Sequence, residues 1–222
     1  MPTHGFAILP RADGVSDDVL RQYQDFAVAN ISDVMSRTTG TTALRPYHRT
    51  RRILGRAFTV RTRPGDNLMV HKALDSAQPG DVIVVDAGGD TRNAIIGEIM
   101  TGWGARRGLA GIIIDGAIRD TEVIGAADFP VYARAAAHRG PYKDGPGEIN
   151  VPVSIDGMVV LPGDLIVGDA DGLLAIRADE AAAIAEKVRA IAASEASILA
   201  QIAAGTLDRS WVDASLKAKG AL

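Results

Sequence analysis

Gly97-Glu98 and Gly116-Ala117-Ile118-Arg119-Asp120 are the two segments of this 222-residue chain best equipped for chemistry. Gly97 and Glu98 stand at a predicted helix start. Free backbone N–H groups and the positive end of the helix dipole favour an anion there. Arg119 and Asp120 follow an apolar run that reads as a buried strand, and ligands of open α/β sheets gather beyond the carboxyl ends of strands. A guanidinium grips a carboxylate through two parallel hydrogen bonds. An adjacent aspartate suits a hard cation such as magnesium, with water filling its remaining positions. An Arg-Asp dipeptide also serves as a turn that only stabilises a loop, and residue type alone leaves both readings open.

Other motifs fail on chemistry. Val84-Val85-Asp86-Ala87-Gly88-Gly89-Asp90 follows a strand but lacks the third glycine and the immediate helix of a dinucleotide site. It also lacks the fuller glycine pattern of a methyl-donor enzyme. Gly102-Trp103-Gly104 falls inside a predicted helix. No phosphate loop with its lysine is present, and no serine sits in a nucleophile elbow. His4, His48, His71 and His138 have no zinc-ligand spacing. The absence of cysteine excludes disulfides, thiolate metal sites and a thiol nucleophile. Of the five lysines, Lys72 alone lies in the central region, where imine chemistry would need a lysine of depressed pKa. The alternative is a solvated helix lysine.

The elements that must position these residues alternate. Ser16 is placed to cap a first helix, and Ser32 a second short one carrying Asp33, Val34 and Met35. Leu54 to Arg63 reads as a strand with Phe58 and Val60 on one side. A helix over 67–76, a buried strand over 82–86 and a helix over 97–107 follow. Ile96, Ile99, Met100 and Trp103 mark the apolar side of that last helix, and Gly108 is its C-terminal cap. Gly111 to Asp115 is a second buried strand, Gly116 to Asp120 a loop, and a helix starts near Thr121. Short strands over 129–133, 151–155, 158–161, 165–169 and 173–176 complete a mixed α/β domain. Pro79-Gly80-Asp81-Val82-Ile83-Val84 echoes Pro162-Gly163-Asp164-Leu165-Ile166-Val167, one shared turn-then-strand pattern rather than a repeat array.

A long helix over 179–204 ends at Gly205. Ile184, Val188, Ile191, Ile198 and Ile202 form its apolar seam, and Glu195 occupies the position missing from it. A glutamate there is costly unless paired or wet; a helix end running into solvent is the plainer explanation. Apolar residues make up 47% and charged residues 23% of the chain, and the net charge is −3. That composition fits one globular domain over residues 1–222 and argues against a nucleic-acid footprint. The basic residues Arg49, Arg51, Arg52, Arg56, Arg106 and Arg107 read as solvated faces or ion pairs. No segment reaches the roughly twenty apolar residues that span a bilayer, and none has a signal-peptide design, so a cytoplasmic location without membrane contact is expected.

From Gly80 to Asp120 the chain resembles the RraA-like proteins and class II pyruvate aldolases. These include the 4-hydroxy-4-methyl-2-oxoglutarate aldolases, often mislabelled as demethylmenaquinone methyltransferases. The pattern is an acidic residue, twenty arbitrary residues and Arg-Asp, matched by Glu98 and Arg119-Asp120. Gly80 to Asp86, Gly97-Glu98, Gly108, Gly111, Asp115-Gly116, Pro162-Gly163-Asp164 and Gly168 to Gly172 match as well. The similarity spans residues 30 to 205.

The resemblance implies an α/β/β/α sandwich with a swivelling-domain-like core. It implies a divalent metal, Mg2+ or Mn2+, on Asp120, with Arg119 on the pyruvyl part of the substrate. It assigns Glu98 to the organisation of water, and backbone amides of Gly97, Ile99 and Met100 to the pyruvate carboxylate. A glutamate from the C-terminal helix of a neighbouring subunit completes such sites, and Glu195 is the candidate; Asp33 is a looser match. A homotrimer or hexamer with sites between subunits is implied. The substrate is a 4-hydroxy-2-oxo acid such as 4-hydroxy-4-methyl-2-oxoglutarate, with oxaloacetate decarboxylation through the same enolate. The rival expectation is a non-catalytic regulator that binds ribonuclease E or a helicase, since fold does not fix function.

Overall fold

A computed structural model describes residues 5–49 and 52–222; His4 and Arg51 fall outside the described residues. The chain begins with a short strand β1 (Phe6–Ile8), helices α1 (Asp17–Gln22) and α2 (Val28–Val34), and a two-residue strand β2 (Arg45–Pro46). Ser16 caps α1, its hydroxyl accepting the Val19 N–H at 3.3 Å. Ser32 caps nothing, because α2 already begins at Val28, whose N–H donates to the Asp169 carboxylate at 3.0 Å. A cap supplied from so far along the chain leaves no local signal.

The central region then alternates: β3 (Ile53–Thr62), α3 (Leu68–Ser76), β4 (Asp81–Asp86), β5 (Ala94–Ile96), α4 (Glu98–Arg106), β6 (Gly111–Ile118), α5 (Thr121–Ala126) and β7 (Val131–Ala136). Strands β3, β4, β6 and β7 lie side by side in that order and run parallel. Side chains alternate across the sheet. Phe58, Val60, Ile83, Val85, Ile112 and Ile114 pack with α3, α4 and α5 on one face. Val82, Val84 and Ile113 pack on the other face, against a second layer of strands.

That second layer follows β8 (Gly147–Ile149) in the chain. It comprises the hairpin β9 (Val153–Ile155) and β10 (Met158–Val160), with β11 (Leu165–Gly168) and β12 (Leu173–Ile176). Strand β11 pairs antiparallel with both β3 and β12. Its Leu165 and Val167, with Leu174 and Ile176 of β12, face α1, α2 and the long helix α6 (Ala181–Ala204). The layers thus run helix, sheet, sheet, helix, as the family resemblance implied, with a last helix α7 (Ser210–Ala218) beyond them.

The repeated Pro-Gly-Asp turns have one shared construction. Gly80 and Gly163 take φ of 85° and 86°, which favours glycine. Asp81 and Asp164 are buried, and each carboxylate accepts the N–H of the residue three before it, Gln78 at 2.9 Å and Leu161 at 2.8 Å. The two turns deliver β4 and β11 to opposite edges of β3.

Two expectations are corrected, and one strand is added. Gly116, Ala117 and Ile118 continue β6 rather than forming a loop. Strand β5, too short to read from sequence, takes the place that β4 vacates beside Ala117 and Ile118. Helix α4 does not bury Ile99 and Trp103, which are 83% and 48% exposed. Its inward face is Met100, Thr101 and Gly104, where the missing side chain at 104 lets the Phe129 ring approach. The seam of α6 is buried at Val188 but exposed at Ile198 and Ile202, so the chain leaves those apolar side chains of the second half of the helix uncovered. Some of the basic residues have separate partners. Arg56 pairs with Asp17, and Arg107 donates to the Ala77 carbonyl at 3.0 Å. Among the described residues no helix is long and apolar enough to cross a membrane.

Candidate active site

The extension of β6 past β4 is what assembles the site. The Arg119 N–H donates to the Ile96 carbonyl at 3.0 Å, so the end of β6 is fastened to the end of β5, just before α4 begins. Asp120 then adopts the left-handed conformation, with φ 58° and ψ 38°, at the start of α5. Aspartate tolerates that region better than most residues. The turn brings its carboxylate to the first turn of α4, where Oδ2 accepts the Glu98 N–H at 2.9 Å. Arg119 Nε lies 3.7 Å from the same oxygen. Gly97 makes this approach possible: a Cβ there would stand 2.3 Å from Asp120 Oδ2 and 3.0 Å from Arg119 Cγ.

Gly97, Glu98, Ile99, Met100, Arg119 and Asp120 therefore converge, as the family resemblance implies. All but Glu98 line one cleft of about 150 Å3. Within it the amides are not equivalent. The Met100 N–H already donates to the Gly97 carbonyl at 3.1 Å. The helix N-terminus, Arg119 and Lys143 make the walls favourable to an anion.

Asn67, His71, Pro141 and Lys143 complete the cleft and were not singled out in the sequence for this role. Asn67 and His71 are one helical turn apart at the start of α3, so they share a face. That spacing, directly after the Pro64-Gly65-Asp66 turn, is the signal that could have found them. Asn67 donates to the Ile95 carbonyl at 2.9 Å, while its buried Oδ1 has no hydrogen-bond partner. Burial, with the Lys143 charge as the lesser cause, holds the His71 imidazole below its usual pKa. Asp66 fixes the loop that carries Lys143. It is fully buried, and its carboxylate accepts the N–H groups of Leu68, Asp144 and Gly145 at 2.8 to 2.9 Å and the Arg63 guanidinium at 3.1 Å.

Other candidates lie elsewhere. Within this chain Glu195 on α6 accepts a hydrogen bond from Asn30 of α2 at 2.6 Å. Asp33 pairs with Arg37 at 2.8 Å on the surface. Lys72 is exposed on α3 and is not part of the cleft wall.

Among the described residues no group of three His, Asp or Glu side chains is disposed to hold an ion unaided. The donors that are present still suit magnesium or manganese. Such ions take one or two carboxylates and draw their other ligands from water and substrate oxygens. Asp120 Oδ1 accepts no hydrogen bond from the described residues, and Glu98, whose N–H reaches Oδ2, has an exposed side chain.

The RraA-like family model (Aldolase/RraA) matches residues 28–175. The chain belongs to the RraA-like family. The match contains the whole cleft, from Asn67 to Lys143, and ends before α6 and Glu195. A Halalkalibacterium halodurans relative, provisionally named a 4-hydroxy-4-methyl-2-oxoglutarate aldolase, is 43% identical over 155 residues, 69% of this chain and 74% of its own length. A Thermus thermophilus relative, named 4-hydroxy-4-methyl-2-oxoglutarate aldolase, is 38% identical over 54% of this chain and 73% of its own. The solved structure of the RNA-processing inhibitor RraA from the same species superposes with a TM-score of 0.63 at 32% identity. It covers 68% of this chain and 92% of its own.

Proposed function

We propose that this RraA-like protein is a divalent-metal-dependent lyase. It cleaves 4-hydroxy-4-methyl-2-oxoglutarate, or a related 4-hydroxy-2-oxo acid, to pyruvate, and decarboxylates oxaloacetate. The observation that carries the reading is the meeting of Arg119, Asp120 and the N-terminus of α4 at one cleft, held by the Glu98 N–H on Asp120. The aldolase names of the relatives support it.

Cleavage breaks the C3–C4 bond. Its electron pair remains as the enolate of pyruvate, the C4 hydroxyl gives up its proton, and C4 becomes the carbonyl carbon of the departing fragment. The substrate carboxylate binds at the start of α4, where the Ile99 amide and the helix dipole favour it. The Arg119 guanidinium sets positive charge where the enolate oxygen develops. Asp120, with Glu98 beside it, would hold Mg2+ or Mn2+, which supplies Lewis-acid polarisation of the 2-oxo group. Glu98 positions the water that takes the hydroxyl proton. Glu195 joins it from a neighbouring subunit in a trimer or hexamer, with the exposed Ile198 and Ile202 of α6 packing on that neighbour. Oxaloacetate needs only the enolate half of this machinery, because carbon dioxide departs without a hydroxyl proton to remove.

The test is pyruvate release from 4-hydroxy-4-methyl-2-oxoglutarate and from oxaloacetate, with magnesium and with a chelator. Metal-dependent release of two pyruvates per 4-hydroxy-4-methyl-2-oxoglutarate is expected. The likeness to a structure described as an RNA-processing inhibitor favours a second reading, a regulator acting through its surface. Absence of release from both substrates, with retained binding to a ribonuclease, would select it.

A further inference from the structure

The proton balance of the proposed cleavage leaves one transfer without a carrier. The C4 hydroxyl loses its proton to the water at Glu98, but C3 must gain one before the enolate becomes pyruvate. Asp120 accepts the Glu98 N–H and is the candidate metal ligand, and an arginine does not give up its proton. Of the described residues around the cleft, that leaves His71 and Lys143 as groups that ionise. Near neutral pH an imidazole both takes and gives a proton, and a lysine amine is the poorer match.

His71 is also placed for the task. Its backbone N–H donates to the Asn67 carbonyl at 3.0 Å in the first turn of α3, so one helix face presents both side chains. Asn67 donates to the Ile95 carbonyl at 2.9 Å and the Met100 sulfur at 3.3 Å. That fixes the start of α3 against the helix end that receives the carboxylate. The cleft holds only about 150 Å3, so a three-carbon acid at α4 and Arg119 reaches the α3 wall. His71 is exposed as well, which lets its proton exchange with bulk water. The charged groups around it are Lys143, Asp75 one turn along α3, and Arg119 and Asp120 in the same cleft. Asp75 accepts the Trp103 indole N–H at 3.2 Å. Burial and the Lys143 charge outweigh Asp75 and keep the imidazole neutral at rest near neutral pH.

We infer that His71 carries the proton to and from C3 of the pyruvate enolate. The inference rests on the aldolase reading. After cleavage, the electron pair of the C2–C3 double bond takes a proton from the imidazolium. A C3–H bond forms, an N–H bond breaks, the N–H pair stays on the ring nitrogen, and the 2-oxo carbonyl is restored. The neutral ring then regains a proton from water. In the reverse sense the neutral ring takes a proton from the methyl group of bound pyruvate, and the enolate forms.

The test follows deuterium exchange into the pyruvate methyl group by NMR, with magnesium, beside pyruvate release from oxaloacetate. His71→Gln, at an exposed helical position, is expected to slow exchange about a hundredfold, within the usual share of a general acid–base group. Decarboxylation is expected to fall less than about threefold, because carbon dioxide leaves without a C3 proton and water can protonate the released enolate. Wild-type exchange is expected to fall as the pH drops below about 6.5, where the ring gains its proton and ceases to be a base. His71→Gln is expected to lack that fall. Free imidazole should restore part of the exchange in His71→Ala. Exchange within about twofold of wild type in His71→Gln would overturn the inference and leave the aldolase reading intact. An equal loss of exchange and decarboxylation would do the same, since it marks a residue that only shapes the wall. Wild-type protein that exchanges at the buffer rate also overturns the inference, and if it releases no pyruvate the aldolase reading falls with it.

Discussion

Asp120→Asn is expected to lower metal-dependent turnover by about a thousandfold, on the order of 4 kcal/mol of barrier. The amide removes the Asp120 carboxylate charge at the junction of α4 and the end of β6, and with it the affinity for a hard cation. It keeps what the fold needs. Asparagine also tolerates the left-handed backbone at φ 58°, and its side-chain oxygen can still accept the Glu98 N–H. Folding is therefore expected to survive. Asp120→Ala loses the same activity but adds a cost of about 1 kcal/mol or more for alanine in that conformation. Gly97→Ala tests the placement independently. Its Cβ would stand 2.3 Å from Asp120 Oδ2, while its own φ of −152° suits any residue. Turnover should fall with the Asp120 carboxylate unaltered. Near-normal turnover in Asp120→Asn, measured with saturating magnesium, would remove Asp120 from the chemistry.

Arg119→Ala is expected to lose turnover by about a hundredfold to a thousandfold, the usual cost of one preorganised stabiliser of developing negative charge. Its stability should barely change. The ion pair with Asp120 is 3.7 Å long, and the two side chains are 44% and 39% exposed, so it contributes less than about 1 kcal/mol. For a chain of this size that corresponds to a melting shift under about 4 °C. Arg119→Lys keeps the charge but not the planar fork, and an intermediate loss is expected. An Arg119→Ala protein that melts many degrees early with proportionate activity would instead make Arg119 a loop-stabilising residue.

The parts of this molecule legible from sequence are those set by local pattern. The apolar runs at 82–86 and 111–115 became the buried β4 and the first part of β6, and the Pro-Gly-Asp turns fell where expected. Glu98, Arg119 and Asp120 could be named because they match the spacing of the family the chain resembles. What stayed hidden depends on distant partners. Strand β5 has three residues and exists because β6 offers it an edge. The cap of α2 comes from Asp169, and the inward face of α4 is chosen by how closely Phe129 approaches Gly104. Asn67, His71 and Lys143 reach the cleft only because Asp66 ties their segments together. Glu195 marked a break in the α6 seam, and within the chain that break meets Asn30 rather than the cleft.

The most direct measurement is deuterium exchange into the methyl group of pyruvate, followed by NMR in heavy water. It requires only that the cleft stabilise the enolate of pyruvate, whatever fragment the natural substrate carries. Exchange is expected well above the buffer rate with magnesium, and at the buffer rate with a chelator or in Asp120→Asn. Exchange no faster than buffer in the wild-type protein with magnesium would contradict an enolate-stabilising site at Arg119 and Asp120.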